Sequence, residues 1–205
     1  MARNAGKSHG KPKANADAAT ESPAPPSVPA VQGGKSWHLA LLLLVLSAPF
    51  AGILVMPDGR VLGHPITDGA TAYYHFGYFA GQAWKSGIVP LWNPHIMLGI
   101  PFLAEGQASI FHPLSFLFVF LRASLAVNWI IAISFVLTGM LFYGYLRALN
   151  LGRAAAWCGA ITWSFSSAMV SRIYPGHLNI LLTFISIPMI LMLWERYRAG
   201  GGRRH

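Results

Sequence analysis

Four long stretches without a single Asp, Glu, Lys or Arg constrain this chain more than anything else in it: 37–56, 123–146, 154–171 and 178–194. A helix rises ~1.5 Å per residue, so the twenty residues of the first run reach ~30 Å, the thickness of a bilayer's hydrocarbon. The last two runs are shorter but within the ~17–25 residues that span. Pro188 interrupts the fourth, where a kink is expected and neighbouring helices must satisfy the carbonyl it frees. Charged residues are 10% of the chain against ~25% in soluble domains, and mean hydropathy is +0.48. The expected class is an all-α polytopic membrane protein with four spans. A cleaved signal peptide fits the first run less well, because 36 residues precede it and Ala48 and Ala51 make a poor cleavage site.

The net charge of +9 raises nucleic acid as a partner, but the basic residues sit at the chain ends and in short connectors. That distribution orients a bilayer protein and excludes nucleic-acid binding as the leading reading. With the N-terminus in the cytoplasm, eleven Lys and Arg lie inside, and only Arg60, Lys85, Arg122 and Arg172 lie outside. Promoting the apolar stretch Leu114–Leu121 to a span would make the partition seven against eight, so it reads as an interfacial or re-entrant helix. Residues 1–36, rich in Ala, Pro, Ser, Gly and Lys, read as a disordered cytoplasmic tail, and 199–205 as a basic cytoplasmic one. Cys158, the only cysteine, lies in an apolar run and reads as a small buried packing residue.

The external loop, 57–122, carries the chemistry. A helix is expected from Asp68, with Tyr73, Phe76, Ala80, Ala83 and Trp84 on one face, ended by Gly87 and Pro90 and lying along the membrane surface. Asp68 either caps that helix or offers a carboxylate for chemistry, and one oxygen can do each. Pro90, Pro94, Pro101 and Pro113 forbid a long helix beyond it, while Trp92 and Phe102 are expected to anchor the segment at the interface. Glu105 is either an exposed loop residue or a carboxylate near low dielectric that requires a partner, a metal or a function. His177 reads as a capping or hydrogen-bonded residue at a helix start, and His75 and His112 as aromatic packing. No HExxH, P-loop, GxGxxG or GxSxG pattern is present.

The segments "TDGATAYYHF", "PLWNPHIMLGIPFLAEGQASIFHPL" and "GHLN" with the later "PMILMLWERY" resemble the N-terminal portion of the YfhO-like bacterial membrane proteins. These in turn resemble the GT-C class of glycosyltransferases. The likeness covers roughly 37–198, and departs from the family pattern at Glu105 and His112, where Asn and Tyr are common. It implies transfer of a sugar from a polyprenyl-phosphate carrier on the outer face of the bacterial cytoplasmic membrane. Asp68 takes the place of the acidic residue acting at the acceptor or at a divalent cation, Mg or Mn, with Glu105 a second candidate ligand. Tyr74, Trp92, Asn93, Glu105, Gln107, Arg172 and His177 become candidate substrate contacts, and Lys85, Arg122 and Arg172 the cations for the lipid phosphate. GT-C enzymes have around a dozen spans, so the resemblance also implies a missing C-terminal half as partner. The alternatives are a non-catalytic membrane subunit and a lipid-linked-substrate transporter or assembly protein.

Overall fold

The computed structural model describes residues 37–57 and 59–201, and among them every regular element is helical. The readings of 1–36 and of the last four residues lie outside the described residues. Helix α1 (Trp37–Ser47) tightens into a 3-10 segment, Ala48–Val55, where Pro49 removes a donor. A π-helical turn, Gly69–Tyr73, opens α2 (Tyr74–Lys85). Then follow α3 (Phe102–Glu105), a 3-10 turn (Pro113–Phe116), α4 (Leu117–Phe120), α5 (Ala123–Ala148), α6 (Arg153–Ser164), α7 (Ser167–Ile173) and α8 (Leu178–Gly201). Two helices, Ala123–Ala148 and Leu178–Gly200, are long and apolar enough to cross a membrane.

Helix α5 is the hub. In its most apolar stretch 56% of residues are buried, against 28% for α8, so α5 is central and α8 presents one face outward. Leu42, Leu46, Val127, Ile130, Ile131, Phe135, Leu181 and Ile185 form the core between α1, α5 and α8. Gly139 is the point of closest approach, since a Cβ there would collide with Ser164 of α6 and meet Leu46 of α1. The Thr138–Phe184 hydrogen bond and the closeness of Gly144 to Met192 place α5 and α8 parallel.

Two buried polar side chains hold this bundle. Pro188 has no N–H to give to the carbonyl four residues earlier, that of Phe184. Thr138 Oγ1 of α5 donates to that carbonyl at 2.8 Å and accepts Trp163 Nε1 of α6 at 3.1 Å, so one hydroxyl links three helices. Near the other end Asn128, 2% exposed, accepts Leu62 N at 2.7 Å and donates to the Arg60 carbonyl at 3.0 Å, pinning the chain that leaves the first apolar helix.

The structure corrects three expectations. The run 154–171 is two helices, broken where Phe165 and Ser166 separate α6 from α7. Ser166 takes an extended conformation (φ −60°, ψ 149°) that starts α7, while the Ser164 hydroxyl reaches the Phe135 carbonyl of α5 at 3.5 Å. Cys158 is exposed on the outer side of α6 rather than packed. The aromatic face of α2, expected in the headgroup region, packs on protein. Ala80 joins Phe102 and Ile110 in a second small core, and Gly77 and Gly81 admit Phe118 of α4 so closely that a Cβ would overlap it.

Candidate functional site

The turn between α7 and α8 is built by one short signal, "RIYPGH". Gly176 takes φ +70°, donating its N–H to the Ile173 carbonyl, while His177 N donates to the Arg172 carbonyl at 3.1 Å. This is a Schellman ending, in which the residues at the positions of Arg172 and His177 usually make a hydrophobic contact. Here the contact is polar: Arg172 Nη1 lies 3.4 Å from His177 Nδ1.

The same turn is clamped to the start of the π-helical turn by backbone alone. Gly69 N donates to the Pro175 carbonyl at 2.8 Å and His64 N to that of Tyr174 at 3.3 Å. A Cβ on Gly176 would come within 2.6 Å of Gly69 Cα. That approach delivers Asp68 to the histidine, with Oδ2 3.0 Å from His177 Nε2. A guanidinium only donates, so Nδ1 accepts from Arg172 and Nε2 carries the proton that it gives Asp68. The result is an oriented string of cation, imidazole and carboxylate. The Asp68 side chain is 62% exposed and His177 23%, so the carboxylate is presented to solvent while the ring is held. Asp68 makes no side-chain capping bond, so the capping expectation is not met.

Beside the string, Tyr73 is buried and donates to Asn179 Oδ1 at 2.6 Å. Burial, then the negative charges of Asp68 and Glu105, push its phenol up to about 12, so it remains a donor. Gln107 borders Tyr73 and Asn179. Glu105 Oε2 accepts Gln107 N at 2.9 Å and Ala108 N at 3.3 Å, fixing the turn at Gly106. A hollow of about 550 Å³ adjoins Asp68 through Thr67 and Ala70, and is lined further by Arg60 and His64.

The other candidates stand apart. Asn93 is buried in a hairpin, where its Oδ1 accepts His95 N at 3.0 Å, and Trp92 packs under Gly99. Tyr74 is half-buried against the main core. Phe102 is fully buried and anchors nothing at an interface. Lys85 ends α2, ~16 Å along the axis from Tyr74, and Arg122 is the N-cap residue of α5. His112 is a cap rather than aromatic packing: its Nδ1 accepts Leu114 N at 3.2 Å. Among the described residues no three of His, Cys, Asp and Glu gather. Asp68 and Glu105, the two candidate ligands for a divalent cation, therefore belong to no ligand cluster among the described residues.

Tyr73, Asn179 and Arg60 were not singled out from the sequence as site residues. Asn179 stands in "GHLN", two residues after the histidine, and that proximity was the available signal. Fold and site together define an all-helical protein with two helices of membrane-crossing length and a polar cluster at the N-terminal end of α8. Comparison with known protein families, with curated proteins and with solved structures finds no match.

Proposed function

We propose that this is a four-span protein of the bacterial cytoplasmic membrane that binds a polyprenyl-phosphate-linked sugar at its outward face and serves sugar transfer there. The observation that carries the reading is the Arg172–His177–Asp68 string, which offers an exposed carboxylate on an imidazole held by Arg172, while Arg60 lines the hollow that Thr67 and Ala70 also line. Asp68 takes the proton of an acceptor hydroxyl as that oxygen bonds to the anomeric carbon and the bond to the lipid phosphate breaks. Arg172 and Arg60 stabilise the departing phosphate. Charge on a cation is the right complement, since the leaving group keeps the electron pair.

Two features support four crossings. The α-helical and 3-10 parts of 37–55 together extend about 32 Å at ~1.5 and ~2.0 Å per residue. Parallel α5 and α8 also require the chain between them to return along the bundle, which α6 and α7 do. The charge partition then puts Asp68, Arg172 and His177 outside and the N-terminus in the cytoplasm.

The test uses the protein reconstituted in vesicles with a radiolabelled polyprenyl-phosphate hexose, reading donor binding and label transfer to a soluble acceptor. Wild type is expected to bind and transfer. Asp68→Asn is expected to keep binding and lose ~10²–10⁴-fold in transfer. Absence of donor binding by the wild type, or undiminished transfer by Asp68→Asn, overturns the reading.

A further inference from the structure

From Ser86 to Ala104, nineteen consecutive residues carry no Asp, Glu, Lys or Arg, with Lys85 and Glu105 closing the stretch at either end. Much of it is not buried. Ile88 is 61% exposed, Trp92 56%, Met97 87% and Leu98 103%. The two most exposed residues form the apex of a tight hairpin. Asn93 and Ile100 exchange both backbone hydrogen bonds, at 2.9 and 3.0 Å, and Gly99 N closes the turn on the Ile96 carbonyl at 2.7 Å. Met97 and Leu98 take φ +49° and +62°. Two left-handed central residues make a type I′ turn, a geometry favouring Asn-Gly and disfavouring large side chains.

The chain thus accepts backbone strain in order to display two large apolar side chains, and in water neither feature stabilises anything. The base of the hairpin is rigid. Asn93 is buried and bonds across the turn, and the Trp92 indole fills the space a side chain at Gly99 would take. A rigid stalk under a strained apolar apex is a device for presenting that apex.

We propose that Met97 and Leu98 form a membrane-insertion tip seated in the outer leaflet of the bilayer that holds α5 and α8. Three observations select lipid as the occupant. The apex has no charge to pair with a protein partner, and it is flanked by the exposed Trp92 and His95, uncharged amphipathic types of a headgroup belt. The body that carries it is docked on the bundle, since α2 packs on α4 and on the flank of α5 as far as Ile130. Exposed apolar surface also stands at the start of the membrane helix, because Phe116 and the 81% exposed Phe120 lie just ahead of the Arg122 N-cap of α5. Backbone groups at the apex still need water or ester oxygens, so the turn stays at headgroup depth and only the side chains reach the acyl region.

The experiment places a nitrobenzoxadiazole label at Leu98→Cys in a Cys158→Ala background, in vesicles of phosphatidylethanolamine and phosphatidylglycerol. Blue-shifted emission and strong quenching by spin-labelled acyl chains, independent of protein-to-lipid ratio, are expected. Water-like emission overturns the proposal. So does a shift that grows with protein density, which would assign the tip to a second copy. A label at His95→Cys then reads the apex itself. Met97→Asn with Leu98→Gly suits the turn better and keeps the hairpin, yet is expected to abolish quenching at position 95. Unchanged quenching there overturns the proposal as firmly.

Discussion

Replacing Thr138 by valine keeps the side chain's shape and deletes one oxygen, and the structure says what that oxygen holds. Thr138 is fully buried, so its removal strands the Phe184 carbonyl that Pro188 cannot serve and the Trp163 indole N–H. Interhelical hydrogen bonds in membranes average ~0.6 kcal/mol and reach ~1.7, while a buried group left unpaired costs ~1–3 kcal/mol. Two stranded groups therefore predict a loss of about 1–3 kcal/mol. Pro188→Ala makes the decisive control. Alanine restores the N–H that bonds the Phe184 carbonyl, so Thr138→Val in that background strands only the indole and its cost falls by about half. Reversible unfolding in bicelles, run as a double-mutant cycle, measures the difference. An equal cost in both backgrounds would refute the argument, for then the hydroxyl does not stand in for the missing helical donor.

Asn128→Leu is expected to free the chain at Arg60–Leu62 and lower stability by ~1–3 kcal/mol, seen as faster amide exchange at Leu62. Gly77→Val drives a side chain into the Phe118 ring, so α2 must lift from α4. Increased protease cleavage between 86 and 112, with unchanged α5–α8 pairing, is the expected sign. Burial lowers the His112 pKa from 6.5, so its contribution is complete above that value and is lost as pH falls through the lowered one. Protonation also costs the Nδ1 acceptor for Leu114 N, so the protection factor of that amide, its exchange relative to the intrinsic rate at each pH, should fall on acidification and stay flat in His112→Asn.

Apolar runs were legible because a long uncharged stretch has few other ways to satisfy its backbone than a helix. The run from 123 gave α5 almost to the residue, and that from 178 gave the start of α8. α8 continues past Trp194 because Glu195 and Arg198 pair at i, i+3 and prolong the helix beyond its apolar part. The break at Phe165 and Ser166 was hidden by hydropathy, which counts serine as uncharged and does not register the extended conformation Ser166 takes at the start of α7. Asp68, Arg172 and His177 were each nameable as candidates by residue type, but their contact spans 109 residues of sequence, which no local pattern encodes. Glu105, Asn93 and Trp92 show the opposite case. Their residue types suggested recognition, whereas the structure uses them to build turns.

The backbone-to-backbone meeting of Gly69 and Gly176 has a consequence for how the protein is made. Asp68 is synthesised 109 residues before His177, so at ~5–20 residues per second the loop waits roughly 5–20 s for its counterpart to emerge. Until the glycine turn ahead of the last apolar helix arrives, nothing fixes the carboxylate. The Arg172–His177–Asp68 string is therefore completed only once the turn before α8 has been made, and a chain stalled after α6 would carry Asp68 without the residues that aim it.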